Sequence, residues 1–166
     1  GCATGEEAYS TAIFIAEALE SLSGFQVFAT DIHPGLLERA SAGRYKSAPE
    51  EMPEELLERY FHQGSDGSWC VNESLRKTIV FAPHDVVADA PFSGRDLVTC
   101  RNLLIYLKPE AQQKVMSRFR FALRDGGFLF LGPSESLGAL EDSFAVVARR
   151  WKIFRTRAHA KPADAP

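Results

Sequence analysis

Cysteine is scarce in this chain of 166 residues, present only as Cys2, Cys70 and Cys100. Three cysteines, widely spaced, with no CxxC pair and no histidine at metal-ligand spacing, argue against a disulfide framework and against a zinc site. Reduced thiols are the expectation. No apolar run approaches the length of a membrane span, and nothing has the pattern of a secretory leader. A soluble, cytoplasmic protein without membrane insertion is expected. Basic residues are not concentrated either: 19 Lys and Arg stand against 22 Asp and Glu, a net charge of −3, so nucleic acid is not an expected partner. His33, His62, His84 and His159 read as surface or turn residues, and no metal is expected on them.

A hydrophobic share of 45% and a charged share of 25% are those of a globular domain, and the length suits one core. The distinctive stretch is the opening, Gly1-Cys2-Ala3-Thr4-Gly5-Glu6-Glu7-Ala8-Tyr9-Ser10, read with Ala29-Thr30-Asp31-Ile32. A glycine-bearing turn opens a helix, and a short apolar strand then ends in an acid. This is how α/β folds hold an adenosine, backbone against ligand and carboxylate on the ribose hydroxyls. Two acids at the helix start disfavour a pyrophosphate and suit a cationic ligand. S-adenosylmethionine, which carries an ammonium and a sulfonium, fits this better than NAD or ATP. The competing reading is an ordinary helix start, where acids are also favoured.

Along the chain, periodicity predicts a helix from Glu6 to about Ser23 with Ala8, Ala12, Ile15, Ala16, Leu19 and Leu22 inward. A buried strand follows over 25–30, then a helix from Pro34 to Gly43. Residues from about 44 to 79 break the rhythm and read as an inserted small antiparallel subdomain, with a helix over 54–61 and a Gly64-Ser65-Asp66-Gly67 hairpin turn. Strands are expected at 79–82, 96–100 and 128–131, with a helix from Pro109 to Leu123 that buries Val115, Phe119 and Ala122 and stops at Asp125-Gly126-Gly127. An antiparallel hairpin of 144–147 and 151–154 closes the fold. Trp69 and Trp151 are read as packing residues, and Arg149-Arg150 and Arg155 to Arg157 as solvating the hairpin.

Consecutive βα units imply a mostly parallel sheet with its ligand at the carboxyl ends of the strands, where Glu7, Asp31, Asp85, Arg101 and Asn102 fall. No apolar strand precedes the glycine loop, so the first strand of the sheet is expected to be missing. Residues 158–166 read as a disordered, linker-like tail of a larger protein, leaving 1–157 as the domain. An unpaired edge near Val27 and an uncovered face near Ile15 and Leu19 are expected to drive self-association.

Cys100-Arg101-Asn102-Leu103-Leu104-Ile105-Tyr106, Ala42-Gly43-Arg44-Tyr45 and Gly132-Pro133-Ser134-Glu135-Ser136, with the opening loop and Asp31, resemble the chemotaxis-receptor glutamate methyltransferases of the CheR type. The resemblance runs from residue 1 to about Arg157. It implies a class I, Rossmann-like methyltransferase fold that uses S-adenosylmethionine to esterify receptor glutamates and releases S-adenosylhomocysteine. By position, Gly1, Ala3 and Gly5 would form the cofactor loop, Glu7 would hold the ammonium, and Asp31 the ribose hydroxyls. Asp85 and Val86 would meet the adenine edge, where the family usually has Asn-Leu, and Arg101 and Asn102 the rest of the cofactor. Tyr106 matches a tyrosine beside the transferring methyl, so Tyr106 and Arg101 are the candidate catalytic residues. The implied partner is the cytoplasmic region of a methyl-accepting receptor, or another signalling domain. The inserted subdomain matches a region that in some members docks on a receptor tail.

Each of these residues also has a plainer reading. Asp31 could cap the following helix, Tyr106 could be a core aromatic, and Arg101-Asn102 could be a structural turn. The family's helical N-terminal domain and its arginine are not in this sequence, which leaves open a non-catalytic S-adenosylmethionine-binding or docking module of a multidomain signalling protein.

Overall fold

The computed structural model describes residues 1–157, which form two compact units, Gly1–Asp85 and one from Val86 onward. The tail expected at 158–166 lies outside the described residues.

In the first unit α1 (Glu6–Leu19) precedes β1 (Val27–Asp31), followed by α2 (Pro34–Ala42) and β2 (Arg44–Tyr45). Then come α3 (Glu54–Tyr60), β3 (Phe61–Gln63), β4 (Trp69–Val71), the short α4 (Glu73–Arg76) and β5 (Ile79–Pro83). β1 and β5 pair in parallel, from Val27 opposite Ile79 to Asp31 opposite Pro83. β2, β4 and β3 make a three-stranded antiparallel sheet in that order, within the stretch expected to be an antiparallel insertion.

The inward face of α1 differs from the expected one. Ala8, Tyr9, Ala12, Ile13 and Ala16 are buried, whereas Leu19 is exposed and Ile15 only partly covered. The stripe runs i, i+1, i+4, i+5, i+8, a valid helical face that the spacing of aliphatic residues alone does not single out. Tyr9 selects it: its hydroxyl donates to the Ala40 carbonyl of α2 at 2.7 Å, and its ring meets Phe81 and the edge of Tyr45. α1 ends at Leu19, not near Ser23, because Glu20 turns into the left-handed region (φ 51°). Glu17 near that end accepts hydrogen bonds from the Tyr60 hydroxyl (2.7 Å) and Arg59 (2.6 Å), tying α3 of the insertion to α1.

The second unit holds β6 (Arg95–Cys100), a 3₁₀ turn (Leu104–Tyr106), α5 (Pro109–Ala122), β7 (Leu123–Leu131), a second 3₁₀ turn (Gly138–Ser143), β8 (Phe144–Ala148) and β9 (Ile153–Thr156). Its sheet order is β6-β7-β9-β8, parallel between β6 and β7 and antiparallel elsewhere, so the expected closing hairpin is present. Val115, Met116, Leu129 and Leu131 lie in its core, each contributing about 1.5–3 kcal/mol on burial. Phe119 packs only partly buried, and Met116 takes the inward position instead.

Two boundaries differ from expectation. α5 passes at Ala122 directly into β7, with no intervening loop. Leu123 pairs with Arg95 and Phe128 with Leu97, so Arg124 to Gly127 bulge out between two paired stretches of one strand. The glycine pair therefore marks a bulge in the strand instead of a helix stop. Trp151 lies in the β8–β9 turn, 61% exposed, and is not a packing residue, whereas Trp69 packs against the first unit's core. Among the described residues the three cysteines are free, and no helix is long and apolar enough to cross a membrane.

Candidate functional site

In the first unit Asp31 ends β1 and Asp85 follows β5, with Gly1 to Gly5 in the loop before α1; in the second Arg101 and Asn102 follow β6, and Val86 precedes it. Gly1, Ala3, Gly5, Glu7, Asp31 and Asp85 belong to the first unit, and Val86, Arg101, Asn102 and Tyr106 to the second.

In the first unit the opening loop is laid against the end of β1. The Cys2 N–H donates to the Thr30 carbonyl at 2.8 Å, and Gly5 closes the loop onto the Cys2 carbonyl at 2.9 Å. Gly5 has φ 91°, and a Cβ added there would lie 2.9 Å from the Ala40 Cβ and 3.3 Å from the Phe81 ring. Backbone conformation and crowding both demand glycine. The start of α1 is thereby pressed onto α2, while the Thr4 hydroxyl donates to the Glu6 carboxylate at 2.6 Å. Tyr45, not foreseen in this role, donates from its hydroxyl to the Thr4 carbonyl at 2.9 Å, and burial raises its pKa.

Asp31 is buried at the tip of β1. Its Oδ2 accepts the Ala3 N–H at 2.9 Å and its Oδ1 the His33 N–H at 3.0 Å. Burial alone would raise its pKa, but the N–H donations from His33 and Ala3, together with the charges of the N-terminal amine and His33, hold the carboxyl below the usual aspartate range. The capping reading does not describe this residue. α2 begins after His33, with no side-chain cap, and Asp31 instead fastens the loop before the helix to the loop before α1. Asp85 follows the end of β5, and the His84 N–H donates to the Asp31 carbonyl at 3.1 Å.

In the second unit β6 and β7 end together at Cys100 and Leu131. Arg101 leaves the sheet with its guanidinium 5.0 Å above the Phe130 ring. Asn102 has φ 56°, the left-handed region that asparagine tolerates better than most residues. The chain then coils through the 3₁₀ turn to Tyr106, which is 80% exposed and so is no core aromatic. Gln112 of α5 donates to the carbonyls of Leu104 and Leu107, both at 3.0 Å, which fixes that turn from one side.

Glu135 fixes it from the other side, and no role was read for it in the sequence. It is 3% exposed. Its Oε1 accepts the N–H groups of Leu103 and Leu104, each at 2.9 Å, and its Oε2 the N–H of Gly132 at 2.6 Å. A Cβ on Gly132 would meet Glu135 Oε2 at 2.5 Å and Asn102 N at 3.1 Å, so this glycine is required by close approach. In the sequence it stands within the Gly132-Pro133-Ser134-Glu135-Ser136 motif, an acid three residues after a glycine at a strand end.

A family model described as CheR methyltransferase, SAM binding domain, matches residues 1–153. The chain belongs to this family. Chemotaxis protein methyltransferase 1 of Pseudomonas aeruginosa is 33% identical over 154 residues, which cover 88% of this chain and 56% of that protein. The chemotaxis protein methyltransferase of Listeria innocua is 36% identical over 137 residues, 82% of this chain and 52% of its own length. An uncharacterized 104.1 kDa protein of Rhodobacter capsulatus is 42% identical over 170 residues, spanning this whole chain but only 17% of that protein. The chain thus spans about half the length of these chemotaxis methyltransferases. Among solved structures, a candidate O-methyltransferase from Nostoc punctiforme aligns with TM-score 0.50 at 12% identity, covering 78% of this chain and 30% of that one, a likeness of fold. The CheR-type fold is a Rossmann-like α/β methyltransferase fold, and its cofactor is S-adenosylmethionine.

The donor set of the first unit suits that cofactor. Each Asp31 oxygen has one backbone donor and retains acceptor capacity, enough for a pair of vicinal hydroxyls. The loop beside it carries Glu6 and Glu7, with no lysine to hold a phosphate.

Proposed function

We propose that this chain binds S-adenosylmethionine and transfers its methyl group to glutamate carboxylates of chemotaxis-type receptors, giving glutamate methyl esters. The observation that carries the reading is the Asp31 carboxylate, held by Ala3 and His33 with an acceptor position to spare on each oxygen. In this reading Asp31 takes the ribose hydroxyls, Gly1, Ala3 and Gly5 line the cofactor with backbone, and Glu7 takes the ammonium. Asp85 and Val86 meet the adenine edge, and Arg101 and Asn102 the remainder. Its partners are the cytoplasmic regions of methyl-accepting receptors or other signalling domains, and its compartment is the cytoplasm.

When bound, the cofactor supplies an electrophilic sulfonium methyl, whose transfer to a carboxylate oxygen leaves S-adenosylhomocysteine. A glutamate with an ordinary pKa near about 4.3 is already ionised at neutral pH, so the chain need not supply a strong base. Its task is orientation. Tyr106, exposed on a turn held by Gln112 and Glu135, steers the incoming carboxylate, and Arg101 offsets the negative charge of an acidic segment. The apolar exposure of Leu19 and Phe28 supports a further part of the reading, self-association through the edge near Val27 and the face near Ile15 and Leu19.

Titration of the chain with S-adenosylhomocysteine, followed by radiolabelled methyl transfer to receptor fragments, tests the proposal. Saturable binding with alkali-labile label on the fragment is expected. A folded chain that leaves the ligand unbound overturns it, and binding without transfer turns it into the non-catalytic module. Sedimentation at micromolar concentrations tests self-association, which a single monomer boundary would refute.

A further inference from the structure

We propose that Glu135 is a positioning residue, whose carboxylate clamps the Asn102–Tyr106 segment to the Gly132 turn and so sets where Asn102 and Tyr106 are presented. The inference rests on the reading of that strand end as a cofactor and substrate edge.

The argument begins where the sheet stops. β6 and β7 are paired up to Cys100 and Leu131, and below that point the ladder and the core of Leu129, Leu131 and Leu137 define the backbone. Beyond it both chains leave the sheet as loops: the Gly132 N–H still donates to the Cys100 carbonyl at 3.3 Å, but no ladder sets the position of the Asn102–Tyr106 segment. The Leu103 and Leu104 N–H groups stand at the start of a short 3₁₀ turn, where helical geometry provides no acceptors. Glu135 Oε1 accepts both, and Oε2 reaches across to the Gly132 N–H.

A carboxylate is a costly group to bury, and stability alone would be served as well by an apolar side chain. A carboxylate does what no apolar residue can: it joins two loops through three directional bonds. The two leucines it grips lie between Asn102 and Tyr106, while Asn102 itself is held in the left-handed region with its N and Oδ1 close against Gly132. Rigidity gained there reaches the exposed Asn102 and Tyr106 side chains far more than the core. A displacement of about 1 Å in such a group is enough to cost catalysis heavily.

Glu135→Gln and Glu135→Ala separate this role from general stability. The amide of Gln can accept on one side only and presents an N–H₂ to the other, so one of the two loops must lose its acceptor. Amide hydrogen exchange at Leu103, Leu104 and Gly132 is expected to quicken at least tenfold at one loop in Glu135→Gln and at both in Glu135→Ala. S-adenosylhomocysteine affinity should fall about tenfold, and the drop in kcat for methyl transfer should exceed the change in substrate KM, while the exchange of Leu129 and Leu131 stays as in the parent. Should Glu135→Ala not fold, Glu135→Gln carries the test. Unchanged exchange at all three amides overturns the clamp, and loosened amides with unchanged affinity and kcat overturn the positioning role alone. A parent chain that protects the three amides yet does not bind S-adenosylhomocysteine overturns the cofactor reading, and the positioning role with it.

Discussion

The backbone N–H of Ala3 donates to Asp31 Oδ2 at 2.9 Å, so the acid at the tip of β1 organises the glycine loop before any ligand arrives. Asp31→Ala removes both the hydroxyl acceptor and the loop's anchor. Hydrogen bonds to a charged group contribute about 1.5–3 kcal/mol, so S-adenosylhomocysteine affinity should fall by roughly ten- to a hundredfold, read by calorimetric titration.

The same aspartate predicts an acid-side dependence. Its folded pKa lies below the unfolded value of about 3.9, because the His33 and Ala3 donations and the nearby positive charges of the N-terminus and His33 together exceed the opposing effect of burial. The stability it contributes is therefore fully present above about pH 4 and is lost as pH falls through the folded value. Asp31→Asn should flatten this part of the acid limb in chemical denaturation measured from pH 6 to pH 2.5, and an unchanged limb would speak against it.

Tyr9 gives the alkaline counterpart. Burial pushes its hydroxyl up to about 12, against the opposing influence of Arg76. The unfolded value is about 10, so this contribution is complete below pH 10 and is lost as pH rises toward 12. Tyr9→Phe removes the bond to the Ala40 carbonyl, which keeps the Gly43 N–H at 3.1 Å, and should cost about 0.5–1.5 kcal/mol in urea denaturation. Ultraviolet titration should show one tyrosine fewer ionising above pH 11 in the variant.

Gly5→Ala meets a positive φ and the Ala40 Cβ together. The strain should lower stability by about 1–3 kcal/mol and weaken ligand binding as well, because the loop must shift to accept a methyl. Parallel thermal melts and ligand titrations read both losses.

Tyr106→Phe and Tyr106→Ala should behave in the opposite way. With the ring largely in solvent, the melting temperature should stay within about 1–2 °C of the parent, as expected of an exposed substitution. Methyl transfer should drop, more for Ala than for Phe. A loss of transfer that tracks a loss of fold would remove Tyr106 from the reacting edge.

Much of this molecule was legible where a residue's chemistry acts locally. Pro34 and Pro109 mark the first turns of α2 and α5, and the acid that ends β1 marks the strand's tip. Legibility failed where a distant partner decides. Tyr9 turns α1 onto a face that its aliphatic residues do not announce, because the Ala40 carbonyl lies 31 positions away in sequence. The helix stop read at Asp125-Gly126-Gly127 is a bulge, since Arg95 of β6 already pairs with Leu123. Glu135 makes its bonds to Leu103 and Leu104 some 31 to 32 positions upstream, and no periodicity encodes such a reach. The candidate residues of each unit share this limit: Asp31 could be singled out from its place in the sequence, but the loop amide that meets it could not.

Ala40 lies in the last turn of α2 with an inert side chain, yet its methyl group is the floor on which the glycine loop rests. Positions 5 and 40 form a single steric unit: the loop can be as close to α2 as it is only while neither residue grows. A valine at 40 would raise that floor and tilt the opening of α1, while its own hydrophobicity and burial would look harmless in any residue-by-residue comparison. Random mutagenesis selected for lost cofactor binding should therefore return changes at Ala40 as well as in the loop, and a larger residue at position 40 cannot be offset by a smaller one at position 5, since glycine has nothing left to give up.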